Sequence, residues 1–113
     1  MPLPPPCSMF TVPIKIVRYI SDANPGFVAG ELVDAYGQVH TFEDKVPVIA
    51  VGYPNAESDY PCDGVLGCEV IERWVEDDGR KLVRIDTEKP WDIASTDDKY
   101  HFVVLAEQVS EQP

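Results

Sequence analysis

Phe27-Val28-Ala29-Gly30-Glu31-Leu32-Val33, then Asp34-Ala35-Tyr36-Gly37, then Gln38-Val39-His40-Thr41-Phe42 is the stretch that decides the fold. Its flanks are rich in β-branched and aromatic residues, which fit a pleated, half-buried surface. Its connection ends on glycine. A type I turn followed by a left-handed residue wants glycine there, because a Cβ is penalised at positive φ. The stretch therefore reads as a β-hairpin, with Val28 and Leu32 on one face and Glu31 on the other. Gly30, inside the first strand, marks a bulge or a close backbone approach.

The same turn chemistry recurs at Glu76-Asp77-Asp78-Gly79, between apolar runs at 65–75 and 81–86. This gives a second hairpin, with Leu66 and Val70 expected inward against Glu69 and Glu72. The adjacent Leu82 and Val83 blur its register. The residues flanking Gly37 and Gly79 do not match, so the two hairpins share turn chemistry and are not an internal repeat. Three more runs, 11–20, 46–51 and 100–105, bring the candidate strands to seven. Pro13 stands near the start of the first, where a missing ladder donor is tolerated, and Pro47 gives the second an edge or a bend. Eleven prolines leave no room for long helices; at most one helical turn is expected, near 93–98. The expected fold is all-β: a small antiparallel barrel of about six strands, with long loops at 52–64 and 87–99. A barrel is preferred because closure removes exposed edges and the chain is short for two full sheets. The expected organisation is a disordered Pro-rich tail over 1–10, one β domain over 11–106 and a frayed tail over 107–113.

Composition narrows the function classes. The chain has 113 residues, 44% of them apolar, enough for one core without staples. Nine Lys and Arg stand against twenty Asp and Glu, for a net charge of −11. That balance argues against nucleic acid and against an anionic membrane surface as partners. The acidity serves solubility in its simplest reading, and steering toward a basic partner in its sharper one. Cys7, Cys62 and Cys68 are an odd count, so a disulfide framework is not expected. Together with the lack of any apolar run of about 20 residues and of a leader-like N-terminus, this points to a cytoplasmic protein.

Chemical motifs are sparse. No G-x-S-x-G elbow and no phosphate-binding glycine loop is present. Cys62, Cys68, His40 and His101 are the residue types of a thiol–imidazole pair or a tetrahedral zinc site. The five-residue spacer between the cysteines is wrong for a short knuckle, and a cysteine within a strand is commonly a small buried hydrophobe. Calcium loops built on Gly79 or Gly37 fail, because their first ligands would be Trp74 or Leu32. No catalytic residue is assigned and no cofactor is expected. The loops hold the remaining interest. Tyr53, Asp59, Tyr60 and Asp63 fall in the first, Trp91 and Asp92 in the second. Aromatic residues beside carboxylates suit a recognition surface; alternatively the rings fold back as lids over the barrel ends.

The stretch Gly26–Gly37, continuing through His40, Phe42 and Lys45-Val46-Pro47-Val48, resembles a type of small bacterial all-β protein, and the similarity extends into the second hairpin and through Lys89-Pro90-Trp91. No activity attaches to that type. The resemblance implies a bacterial single-domain protein and no site residues. The leading expectation is an acidic protein-binding module, inhibitor- or immunity-like, that docks a basic partner protein. A small thiol- or metal-dependent enzyme or metal-binding domain, using Cys62, Cys68, His40 and His101, and an accessory structural subunit are the alternatives.

Overall fold

The computed structural model describes residues 9–112, so most of the expected N-terminal tail, including Cys7, lies outside the described residues. The chain is mostly β. Strands β1 (Met9–Ser21), β2 (Phe27–Val33), β3 (Val39–Lys45), β4 (Cys62–Val75), β5 (Lys81–Asp86) and β6 (His101–Leu105) form an antiparallel path in the order β3-β2-β1-β4-β5-β6. A short β7 (Ser110–Gln112) pairs with the start of β1, Met9 opposite Gln112. The sheet curls into a half-barrel. Its ends, β3 and β6, are not strand partners. Hydrogen bonds from the Ala35 amide to the Val103 carbonyl (2.9 Å) and from the Thr96 amide to the Thr41 carbonyl (2.8 Å) tie the two sides together. Edge-to-face packing of Phe42 on Phe102, centroids 5.4 Å apart, fills the seam.

The deciding hairpin forms as its sequence dictates. The Asp34 amide donates to the Gln38 carbonyl, the Gly37 amide to the Asp34 carbonyl, and Gly37 takes φ +80. Val28 and Leu32 are fully buried. Gly30 is a close approach: a Cβ there would sit 2.7 Å from the Ile14 Cδ1. The neighbouring register shift, between Ile16 and Arg18, falls in β1.

β1 and β4 are long because each serves two neighbours. β1 pairs with β4 over residues 10–16 and with β2 over residues 15–21. β4 pairs with β1 over residues 62–68 and with β5 over residues 69–75. The core between these arms holds Val12, Ile14, Ile16, Leu66, Cys68, Val83, Ile85 and Phe42, all buried. Leu82 and Val83 are both buried, which accounts for the blurred alternation: Val83 faces the core, while Leu82 lies on the outer face between its cross-strand partners Trp74 and Leu105.

Four expectations change. Residues 46–49 form a single helical turn, α1 (Val46–Ile49), in place of a strand. Pro47 lacks the N–H a ladder needs but suits a first helical turn, and Val46 and Ile49, three apart, bury the same side. The first long loop is shorter than expected, because β4 begins at Cys62. Residues 93–98 form hydrogen-bonded turns and no helix. The chain ends are also more structured than tails: Met9 and Phe10 lie in β1, and Ser110–Gln112 extend the ladder because β1 leaves an edge open there. No helix among the described residues is long and apolar enough to cross a membrane.

Candidate functional site

Side chains alternate along β4, so Asp63, Val65 and Gly67 face outward while Gly64, Leu66 and Cys68 face the core. The outward row connects the two aromatic-bearing segments. At one end Asp63 accepts a hydrogen bond from the Lys15 ammonium at 2.8 Å, across the β1–β4 ladder. The bond and the lysine charge hold the Asp63 carboxyl below its ordinary range, and the Lys15 ammonium is raised by the same contact. At the other end Trp91 lies over Gly67; a Cβ on that glycine would sit 2.8 Å from the indole Cε3. Four residues of strand place Asp63 and Gly67 roughly 13 Å apart.

Segment 50–61 leads into this row. Tyr53 is 86% exposed, the most open large hydrophobic side chain among the described residues. Asp59, six residues on in the same segment, is also exposed. Tyr60 behaves differently: its ring packs against the core cluster and its hydroxyl donates to the Asn55 carbonyl at 2.7 Å. Burial, then the neighbouring Cys62, raises the Tyr60 phenol above its ordinary value. Of the six residues expected to bind a partner, Tyr60 is thus a support for its own loop. Asp63, expected in a loop, stands on a strand and is ion-paired.

Segment 87–100 brings the second aromatic. Its frame is internal. The Thr87 amide donates to the Tyr100 carbonyl, the Ile93 amide to the Thr87 carbonyl, and the Thr87 hydroxyl to the Ile93 carbonyl. Ile93 and Ser95 are buried beneath it. This holds Trp91 at the surface, 43% exposed. Asp92 sits in the left-handed region at φ 53, which aspartate tolerates. Its carboxylate accepts the Tyr100 hydroxyl at 2.7 Å. That bond, with burial and the charges of Asp92, Glu88 and Asp98, raises the Tyr100 phenol.

The thiol and imidazole set is not brought together. Cys62 and Cys68 are six residues apart on one extended strand, roughly 20 Å. Cys68 is buried; desolvation, then Asp86, pushes its thiol up to about 12, so the reactive thiolate is absent at neutral pH. The His40 Nε2 lies 2.8 Å from the Asp34 Oδ2, and its ring meets the edge of Phe102 at 4.8 Å. It is a brace for the first hairpin turn. Alternation along β6 turns His101 the other way, 3.8 Å from Asp86 at the surface. Among the described residues no three His, Cys, Asp or Glu are placed to hold a metal ion.

Gly67, Lys15 and Tyr100 are the site residues that sequence reading misses. A glycine within a strand signals a close approach, and Gly67 carries that signal; Lys15 and Tyr100 are joined to their partners only by tertiary pairing. No family model, curated relative or solved structure matches the chain.

Proposed function

We propose that the chain is an acidic binding module that docks a basic surface of a partner protein, using Tyr53, Asp59, Trp91 and Asp92 around the outward face of β4. One observation carries this reading. Two aromatic side chains are exposed on the segments joined by the outward row of β4, Trp91 seated against Gly67 and Tyr53 on the stretch that leads into Asp63, and Asp92 and Asp59 are exposed on the same two segments. Tyr and Trp bury much area at little entropic cost, and they dominate binding energy where they sit centrally in interfaces. Carboxylates around them add steering and orientation toward a cationic surface. Asp63 contributes less, because Lys15 already neutralises it.

The reading is tested by comparing the intact chain with Trp91→Ala and Tyr53→Ala as baits in cell lysate. A partner retained by the intact chain is expected to be lost, or weakened by about 2 kcal/mol, for each variant. Equal retention by all three baits places the contact elsewhere and sinks the proposal.

A further inference from the structure

The β4–β5 hairpin gathers basic residues that are scarce elsewhere in the chain. Four of the nine basic residues, Arg73, Arg80, Lys81 and Arg84, fall within it or at its turn. Two are engaged. Arg80 donates through Nε to Asp78 at 2.9 Å and through Nη1 to the Ala35 carbonyl at 3.0 Å. Arg84 lies over the Trp74 ring, 5.6 Å from its centroid, with Glu72 at 3.5 Å. Arg73 and Lys81 have no carboxylate within ion-pair distance among the described residues.

The strand register brings these two cations together. Arg73 stands opposite Val83 and Lys81 opposite Val75. On one face of the ladder the four make a square with the cations on its diagonal, within reach of a single small group. Here the apolar interior runs out: Val83 is buried, while Val75 is 62% exposed. The Arg73 guanidinium leans toward Phe10, 5.9 Å from the ring centroid. An open cavity of about 220 Å³ lies among Arg73, Val75, Lys81, Val83 and Ala106, with Trp74 and Leu82 of the same two strands also on its lining. Lys81 and Ala106 also border an adjoining hollow of about 340 Å³ that reaches Arg80 and Glu107.

A purely apolar ligand would leave both cations unanswered, and a bare inorganic anion would leave Val75 and Ala106 wet. A carboxylate on a compact apolar body meets both needs, since charge-assisted hydrogen bonds to Arg and Lys are strong and directional and the aliphatic stems line an apolar floor. We propose that this groove binds a small amphipathic carboxylate, its head held by Arg73 and Lys81 and its aromatic or short aliphatic body laid on Val75, Val83 and Ala106. Pockets for drug-sized ligands run to about 300–1,000 Å³, so a cavity of about 220 Å³ limits the body to one ring or a short chain. The net charge of −11 disfavours multiply charged anions, and Glu107 at the margin adds to that. The site is independent of the docking surface.

The test is titration of the isotope-labelled full chain with 3-phenylpropionate, followed by amide NMR, beside the neutral 3-phenylpropanol and inorganic phosphate. Saturable shifts confined to residues 73–75, 81–83 and 106 are expected. The alcohol should bind at least about tenfold more weakly, and Lys81→Met and Arg73→Leu should each weaken the carboxylate about tenfold. Both side chains are exposed, so unchanged spectra elsewhere will show that the variants fold; Lys81→Arg should retain binding. Absence of saturable shifts, equal affinity for the alcohol, phosphate binding as tight as the carboxylate, or indifference to Lys81→Met would each overturn the proposal.

Discussion

Asp34 shows how much one side chain does here. Its carboxylate accepts from the Tyr36 and Gln38 amides at 2.9 Å each and faces the His40 Nε2 at 2.8 Å. Burial opposes its charge, but the bonds from His40 and the two amides outweigh it and hold the carboxyl below its ordinary value of 3.8. Since the folded value is the lower one, this stabilisation is complete above the ordinary value and disappears as pH falls through the folded value. Asp34→Asn should cost about 2 kcal/mol at neutral pH, with the gap from the intact protein closing in acid; chemical denaturation at a series of pH values measures it. A gap that widens on acidification would contradict the assignment. Gly64 makes the opposite point, since there a missing side chain matters. A Cβ would meet the Ile16 Cδ1 at 2.6 Å and the Ile49 carbonyl oxygen at 2.7 Å. Backbone cannot step aside, so Gly64→Ala should lose about 3 kcal/mol, read as a lower urea midpoint. Cys68 should stay unmodified by thiol reagents in the native protein and react only on unfolding, as peptide mapping by mass spectrometry would show.

At the scale of elements, local chemistry was legible and tertiary roles were not. Both hairpins follow from turns ending at Gly37 and Gly79, because the residues that set a tight turn are neighbours in sequence. The start of β4 was hidden for a related reason. Cys62-Asp63-Gly64 carries turn residues after Pro61, yet Gly64 is required by strand-to-core contact, a demand visible only once Ile14, Ile16 and Ile49 converge on it. Residues 46–49 carry an apolar run that suits either a strand or a buried turn, and Pro47 decided for the turn. The two long segments were recognised as aromatic-bearing, but the seat of Trp91 on Gly67 joins residues 24 positions apart, beyond any local signal. That seat makes a prediction. Gly67→Val should lift the indole from the strand and, in a Trp74→Phe background, shift its emission to the red. It should also cost about 1–3 kcal/mol. Unchanged emission would mean that Trp91 does not rest there.

The whole molecule combines an unclosed half-barrel with a strongly acidic surface. Its edges are managed without ladder closure: β3 ends in Glu43, Asp44 and Lys45, whose charges discourage strand addition, and the Ala35–Val103 and Thr96–Thr41 hydrogen bonds bind the seam. Residues 73–84, with four basic side chains against three acidic ones, are a local relief in the negative field. Long-range steering is screened beyond about 8–10 Å at physiological salt, so a docking role built on charge has a clear signature. The most direct measurement is a pull-down with the tagged chain in cell lysate at about 50 mM and again at about 500 mM salt. The account predicts a basic protein retained at low salt, released at high salt, and lost from the Trp91→Ala bait. An empty column at both salts, or a partner held equally at both and by the variant, would contradict it and leave the charge of −11 as a device for solubility.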